Sequence, residues 1–285
     1  MNKLRSLALA LMLAMASWST AQQLPQFTQY MFNTISVNPA YAGSRGTINL
    51  TALHRNQWAG LEGNPTTSTI SFHSPTKRER VGLGLSYISD QIGSQSSNYI
   101  YGDFSYTLPV FGKAKLSLGL KAGFTNYDKP DLDNNDPGET NVALWNPNFG
   151  AGAYLTTERW YVGVSSPRIL NTNINQNEFE NLERNSYYAI AGLVFDLSAD
   201  IKFRPTALAQ FTNGAPPSYD ITGAFLFYDK LWLGASARLN DATNVGAFID
   251  YQVSKSIRLG YAYDLPTAQV RPYVGGTHEF ILIFE

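Results

Sequence analysis

The sequence predicts an all-β chain that crosses an outer membrane as a barrel of about fourteen antiparallel strands, behind a non-strand N-terminal segment. Three observations predict it. Charged residues are 15% of the 285 positions, well below the roughly 25% of an ordinary soluble domain. Aromatic residues reach 13%, with 17 Tyr beside 23 Gly, as a lipid-facing barrel requires. Apolar residues also recur at every second position over stretches of about nine or more, long enough to cross a bilayer at a tilt.

The elements follow in order. Lys3 and Arg5 precede an apolar stretch over 7–15, and Ser19-Thr20-Ala21 supplies small residues at a cleavage site. This predicts a secretory signal peptide over 1–21, too short in its apolar run to anchor the chain. Residues 22–43 carry no strand period: Phe27, Tyr30, Met31 and Phe32 cluster, and Asn38-Pro39 marks a turn. A barrel of about fourteen strands encloses more space than its wall side chains fill. The segment is therefore expected as a plug or at the periplasmic mouth, with Phe27, Tyr30 and Phe32 as candidate partner-binding residues.

The barrel is expected over 44–285. Strands are predicted near 45–55, 67–75, 80–90, 97–108, 113–126, 147–157, 159–165, 185–197, 199–210, 217–228, 229–239, 243–253, 255–264 and 272–284. Leu116, Leu118, Leu120, Ala122 and Phe124 form one face, with Lys115, Ser117, Gly119, Lys121 and Thr125 on the other. Leu231, Leu233, Ala235, Ala237 and Leu239 alternate likewise with Gly234, Ser236 and Arg238, as do Ile257, Leu259, Tyr261 and Tyr263 with Arg258, Gly260 and Asp264. Connections alternate between long (56–66, 127–146, 166–184) and short (at Glu158, Ser198 and Ser254). Outer-membrane barrels have long outside loops and short periplasmic turns, and an even strand count puts both termini in the periplasm. A soluble sandwich has no reason to alternate its connections.

Composition also excludes function classes. There is no cysteine, so neither a disulfide nor a thiolate metal site is available. A net charge of −1 gives no footprint for nucleic acid. His54, His73 and His278 share no ligand spacing. The acidic stretch 131–139 places Asp136 where a calcium loop needs glycine and Val142 where it needs glutamate. No G-x-S-x-G elbow singles out a serine. The sequence therefore predicts no catalytic residue, metal or cofactor. By alternation Lys115, Lys121, Lys202, Arg204, Arg238, Arg258 and Asp264 face the lumen, with Asp103, Asp220 and Asp250. The run Arg55-Asn56-Gln57-Trp58-Ala59-Gly60 suggests a rim loop in which Arg55 and Trp58 meet a partner, or an interfacial aromatic anchor.

Several stretches together resemble the PorP/SprF family of type IX secretion system membrane proteins of the Bacteroidetes. They are Gln26-Phe27-Thr28-Gln29-Tyr30-Met31-Phe32-Asn33 with Asn38-Pro39-Ala40-Tyr41-Ala42-Gly43, then Arg55-Asn56-Gln57-Trp58-Ala59-Gly60, Gly82-Leu83-Gly84 and Asp90-Gln91-Ile92-Gly93. Pro147-Asn148-Phe149-Gly150, Tyr161-Val162-Gly163-Val164-Ser165-Ser166-Pro167, Leu231-Trp232-Leu233-Gly234 and Gly260-Tyr261-Ala262-Tyr263-Asp264 continue it in order. The resemblance implies a component of protein export and, in gliding members, of adhesin delivery. Its implied partners are secreted cargo with a type B C-terminal sorting domain, periplasmic or peptidoglycan-associated secretion proteins, and outer-membrane lipid. It carries over no catalytic residue. A cargo-docking barrel is thus the expected function, with a passive small-solute porin as the alternative and a lipid-acting barrel enzyme behind both.

Overall fold

The pleat that puts alternate side chains on opposite faces builds one closed sheet. In the computed structural model, residues 25–78, 80–129, 142–173, 182–239, 244–266, 272 and 274–285 are described. The signal-peptide reading of 1–21 and the acidic stretch 131–139 lie outside them. Fourteen long strands occur among the described residues. They are β1 (Asn49–Asn56), β2 (Thr66–Pro75), β3 (Val81–Ile92), β4 (Gln95–Pro109), β5 (Lys115–Lys129), β6 (Val142–Thr156) and β7 (Trp160–Ser166). Then come β8 (Ser186–Leu193), β9 (Ile201–Thr212), β10 (Ser218–Phe227), β11 (Leu231–Leu239), β12 (Asn244–Gln252), β13 (Ile257–Pro266) and β14 (Thr277–Phe284). Each pairs antiparallel with its neighbour in sequence, and β14 closes on β1 with Arg55 opposite Glu279 and Leu53 opposite Ile281. Closure leaves no free sheet edge, the condition for a β-structure to sit in hydrocarbon.

The two faces reverse the soluble pattern. Outward side chains are apolar and exposed, with Leu120 at 62%, Leu85 at 57% and Phe149 at 54% of their full area. Inward ones include Thr69, Ser71, Ser105 and Asp250, all buried. Such an exterior is stable only against lipid.

Connections on one rim (76–80, 110–114, 157–159, 194–200, 228–230 and 253–256) are all short. The opposite rim carries the long connections 57–65, 130–141, 167–185 and 267–276. It also carries the short connections 213–217 and 240–243 and the two-residue turn Gly93-Ser94, so the expected alternation is strict on one rim only. There β3 and β4 simply run on as a tall hairpin of 12 and 15 residues. The first strand starts at Asn49 rather than near 45, because Gly43 and Gly46 adopt positive φ and turn the chain into the wall. β6 begins at Val142, earlier than expected, and takes Pro147 into the sheet. β7 pairs only with Ala151–Thr156, so the upper part of β6 has no β7 ladder for a proline to interrupt.

Residues 25–43 fill the lumen. Three 3₁₀ turns, Tyr30–Phe32, Thr34–Ser36 and Pro39–Tyr41, bury Phe27, Tyr30, Met31, Phe32, Ile35 and Ala40. Their core partners are inward apolar side chains of the wall, among them Leu53, Ile190, Leu208, Phe248, Ile281 and Ile283. The path runs the length of the barrel. Gln26 bonds Gln210 near the loop end of β9, and a Cβ on Gly43 would touch Pro75 at the turn end of β2. Both ends of the barrel wall, Asn49 and Phe284, therefore lie on the short-turn rim, whereas the described chain begins in the loop half of the lumen.

Candidate functional site

The site is the lumen and the rim above it. At the loop end, Arg55 leaves β1 inward and is 2% exposed. Its Nη1 reaches Glu279 Oε2 at 2.9 Å, Asp264 Oδ2 at 3.1 Å and Thr28 Oγ1 at 2.9 Å. Glu279 in turn accepts the main-chain N–H groups of Thr28 at 2.9 Å and Gln29 at 2.8 Å. The Thr28 hydroxyl donates to Asp264. One arginine and two carboxylates thus close the β1–β14 seam and hold the start of the plug.

Lower down, the wall grips the plug's main chain. Lys121 Nζ lies 3.4 Å from Ile35 O while paired to Asp103 at 3.0 Å. Ser165 Oγ donates to Val37 O and Ser105 Oγ to Ala42 O, each at 2.7 Å. Asn38 caps its own turn by accepting the Ala40 N–H at 3.0 Å, and donates to Ala153 O at 3.1 Å. Inward glycines make the room. A Cβ at Gly119 would fall 2.1 Å from Ala40 N, and one at Gly82 2.1 Å from Ala42 O. Glycine in a strand marks such a close approach of a second backbone.

Aromatic and cationic side chains fix the middle of the segment. Phe32 sits edge-on to Trp232 and Phe248, at centroid distances of 5.8 and 6.2 Å. The Arg258 guanidinium lies 4.4 Å from its ring, and Arg204 reaches Phe32, Tyr161 and Trp232. Tyr30 Oη meets Thr206 Oγ1 at 3.0 Å and donates to Asp220 O at 3.5 Å.

The residues singled out in the sequence fall in two places. Lys121, Arg204, Arg238, Arg258 and Asp264 all point inward, and Arg238 Nε is 2.7 Å from Asp220. Lys115 and Lys202 keep the inward side but sit at the short-turn rim, Lys115 exposed and Lys202 paired to Asp229 at 2.6 Å. Phe27, Tyr30 and Phe32 are buried against the chain's own wall. Arg55 is not on the rim, because the β1 pleat turns it inward one residue before the strand ends.

Trp58 is on the rim. It adopts φ 56°, uncommon for a bulky residue. The strained backbone is held on both sides: Trp58 N–H donates to Thr277 Oγ1, Ala59 N–H to Gly276 O and Gly275 N–H to Ala59 O. His54 and His278 face outward, bonded to Ser68 and Tyr261, while His73 faces inward. Among the described residues no three metal-ligating side chains converge.

Sequence reasoning missed Glu279 and the glycine track. The signal for Glu279 was present, since His278 and Phe280 on either side face outward. The track becomes visible only when β3 and β5 are placed beside one segment.

Known proteins match this architecture. The Acinetobacter baumannii outer membrane protein Omp33 superposes with a TM-score of 0.51 at 12% identity, over 84% of this chain and 97% of its own. The KdgM porin gives a TM-score of 0.43 at 9% identity, over 83% and 98%. A mutant of the Rh. blastica porin gives 0.36 at 10%, over 84% and 99%. The first shows the outer-membrane barrel fold and nothing further. No curated protein matches the chain. The model of the type IX secretion system membrane protein PorP/SprF matches residues 19–284. That match runs through the plug, the Arg55 latch, the Trp58 rim and every strand of the wall, and the chain belongs to the PorP/SprF family of type IX secretion system membrane proteins.

Proposed function

We propose that the protein is the outer-membrane subunit that docks particular secreted proteins, those with a type B C-terminal sorting domain, for export or surface anchoring. It acts by protein–protein binding without bond chemistry. The observation that carries this reading is the filled lumen: residues 25–43 occupy the space a solute would need, and the wall holds them at both ends. A passive porin needs an open lumen. Support for a protein partner comes from the rim, where Trp58 is partly exposed on a backbone fixed before any partner arrives. A rigid aromatic in a braced loop binds with little ordering cost.

The test is quantitative proteomics of cell-surface and medium fractions from a deletion strain and its complemented parent. Loss of one or a few sorting-domain proteins from the surface is expected. An unchanged secreted set with reduced small-solute uptake would return the barrel to the porin class. Complementation with Trp58→Ala should leave the barrel inserted and lower cargo retention. Full retention would remove the rim tryptophan from the docking surface.

A further inference from the structure

We propose that the lumen is itself a binding channel for an extended polypeptide segment, and that residues 25–43 are a resident occupant which a partner's segment displaces. This deepens the docking function above and rests on it for the partner's being a protein.

Beside its side-chain contacts to Thr28, Phe32 and Asn38, the wall holds the segment's main chain at several points. Glu279 takes two successive N–H groups, and Lys121, Ser165 and Ser105 reach three carbonyls farther along. Every peptide carries those groups, so this main-chain part of the grip is open to another extended segment. The glycine track is likewise a groove for a backbone, whatever side chains it bears.

The fit of the present occupant is incomplete. Both carboxylate oxygens of Asp250, Ser218 Oγ, Arg258 Nη2 and both side-chain polar atoms of Gln29 are buried and without a hydrogen-bond partner among the described residues. A wall with spare donors and acceptors can also accept an occupant of different polar layout.

Nor is the segment locked. The chain has no cysteine, and among the described residues the stretch 44–48 ties it to the wall. That short tie gives it an effective concentration in the millimolar range. A competing segment therefore needs higher affinity, or a loosened latch, to enter.

The cysteine-free chain allows a direct test. A Cβ at Gly152 would lie 3.1 Å from Asn38 Cγ, within disulfide reach. Full-length Asn38→Cys/Gly152→Cys in nanodiscs is titrated, oxidised and then reduced, with a fluorescent synthetic peptide of residues 25–43 carrying Asn38→Ala, because a Cβ at Gly152 would lie 2.2 Å from Asn38 Oδ1 of the unaltered peptide. The reduced protein should bind it at least about tenfold more tightly than the oxidised, because reduction lets the resident leave the wall while residues 44–48 still tether it. Asn38→Ala in the resident, with no cysteine, should raise binding of the unaltered 25–43 peptide about five- to thirtyfold over the parent, since only the resident then loses the cap and the bond to Ala153 O. Equal binding by oxidised and reduced protein, or no gain in Asn38→Ala, overturns the proposal. In cells, normal cargo display by the oxidised pair would refute the channel while leaving docking at the rim intact. Undiminished cargo in the deletion strain would instead sink the docking function itself.

Discussion

Arg55→Ala isolates the latch. The arginine and both carboxylates are at most 2% exposed, and its Nη1 stands 2.9 and 3.1 Å from them. At 3 Å and an effective dielectric of 20, each attraction is about 5–6 kcal/mol gross. Most of that is offset by desolvation, so the net cost of removing one partner is about 3–5 kcal/mol. Two buried carboxylates then face each other, and Thr28 loses a donor. The variant should be less stable by that amount in urea unfolding from lipid vesicles, followed by the gel shift between folded and unfolded barrel. In planar bilayers it should show current fluctuations that the parent lacks, because the same cluster holds the plug. Arg55→Met combined with Asp264→Asn and Glu279→Gln should recover most of the stability, since no uncompensated charge remains. An Arg55→Ala barrel within about 1 kcal/mol of the parent, and as silent, would refute the assignment of latch and seam to this cluster.

Three further perturbations separate plug from wall. Gly119→Val would place side-chain atoms where Ala40 N now lies 2.1 Å from a Cβ. It should raise hydrogen exchange through 38–42 and leave the folded-barrel gel band in place. Asn38→Ala removes a cap and a bond to Ala153 O, about 1–2 kcal/mol; faster exchange at the Ala40 amide with little change in barrel unfolding is the expected signature. Leu120→Lys puts a charge on the outer face at a site 62% exposed. Folding into vesicles should weaken by about 2–4 kcal/mol if the site is near mid-bilayer, and an unchanged value would mean that this face does not meet lipid.

The wall was legible because lipid enforces a period of two, and a single slip would turn every apolar side chain inward. Where that constraint relaxes, the sequence spoke less clearly. β14 is apolar on both faces, since Ile281 and Ile283 pack on the plug while Phe280 and Leu282 face out. Its true start at Thr277 is accordingly blurred. Phe27, Tyr30 and Phe32 showed an aromatic cluster but not whether it lies in the lumen or at the mouth, which depends on inward positions from most of the fourteen strands. Arg55 looked like a rim residue because Asn56–Gly60 lead into a loop. Parity with inward Thr51 and Leu53, opposite to that of outward His54, places it in the lumen.

The polarity of the lumen has a physical origin distinct from the plug. Apolar side chains must face lipid, so the pleat delivers the alternate, polar set inward whether or not anything fills the space. Filling it then requires an occupant that can satisfy polar walls, and a chain of 3₁₀ turns does so with exposed carbonyls and N–H groups. Stability alone would favour a different solution. Well-packed apolar residues in place of Arg55–Asp264–Glu279, Lys121–Asp103 and Arg238–Asp220 would cost little or gain, because a buried pair barely recovers its desolvation. What charged pairs give and apolar packing does not is direction: they fix where the main chain lies and release it when one partner is neutralised or recruited. The energetics of this lumen therefore suit an occupant that can be exchanged, and the Arg55 series and the peptide titration measure the two halves of that claim.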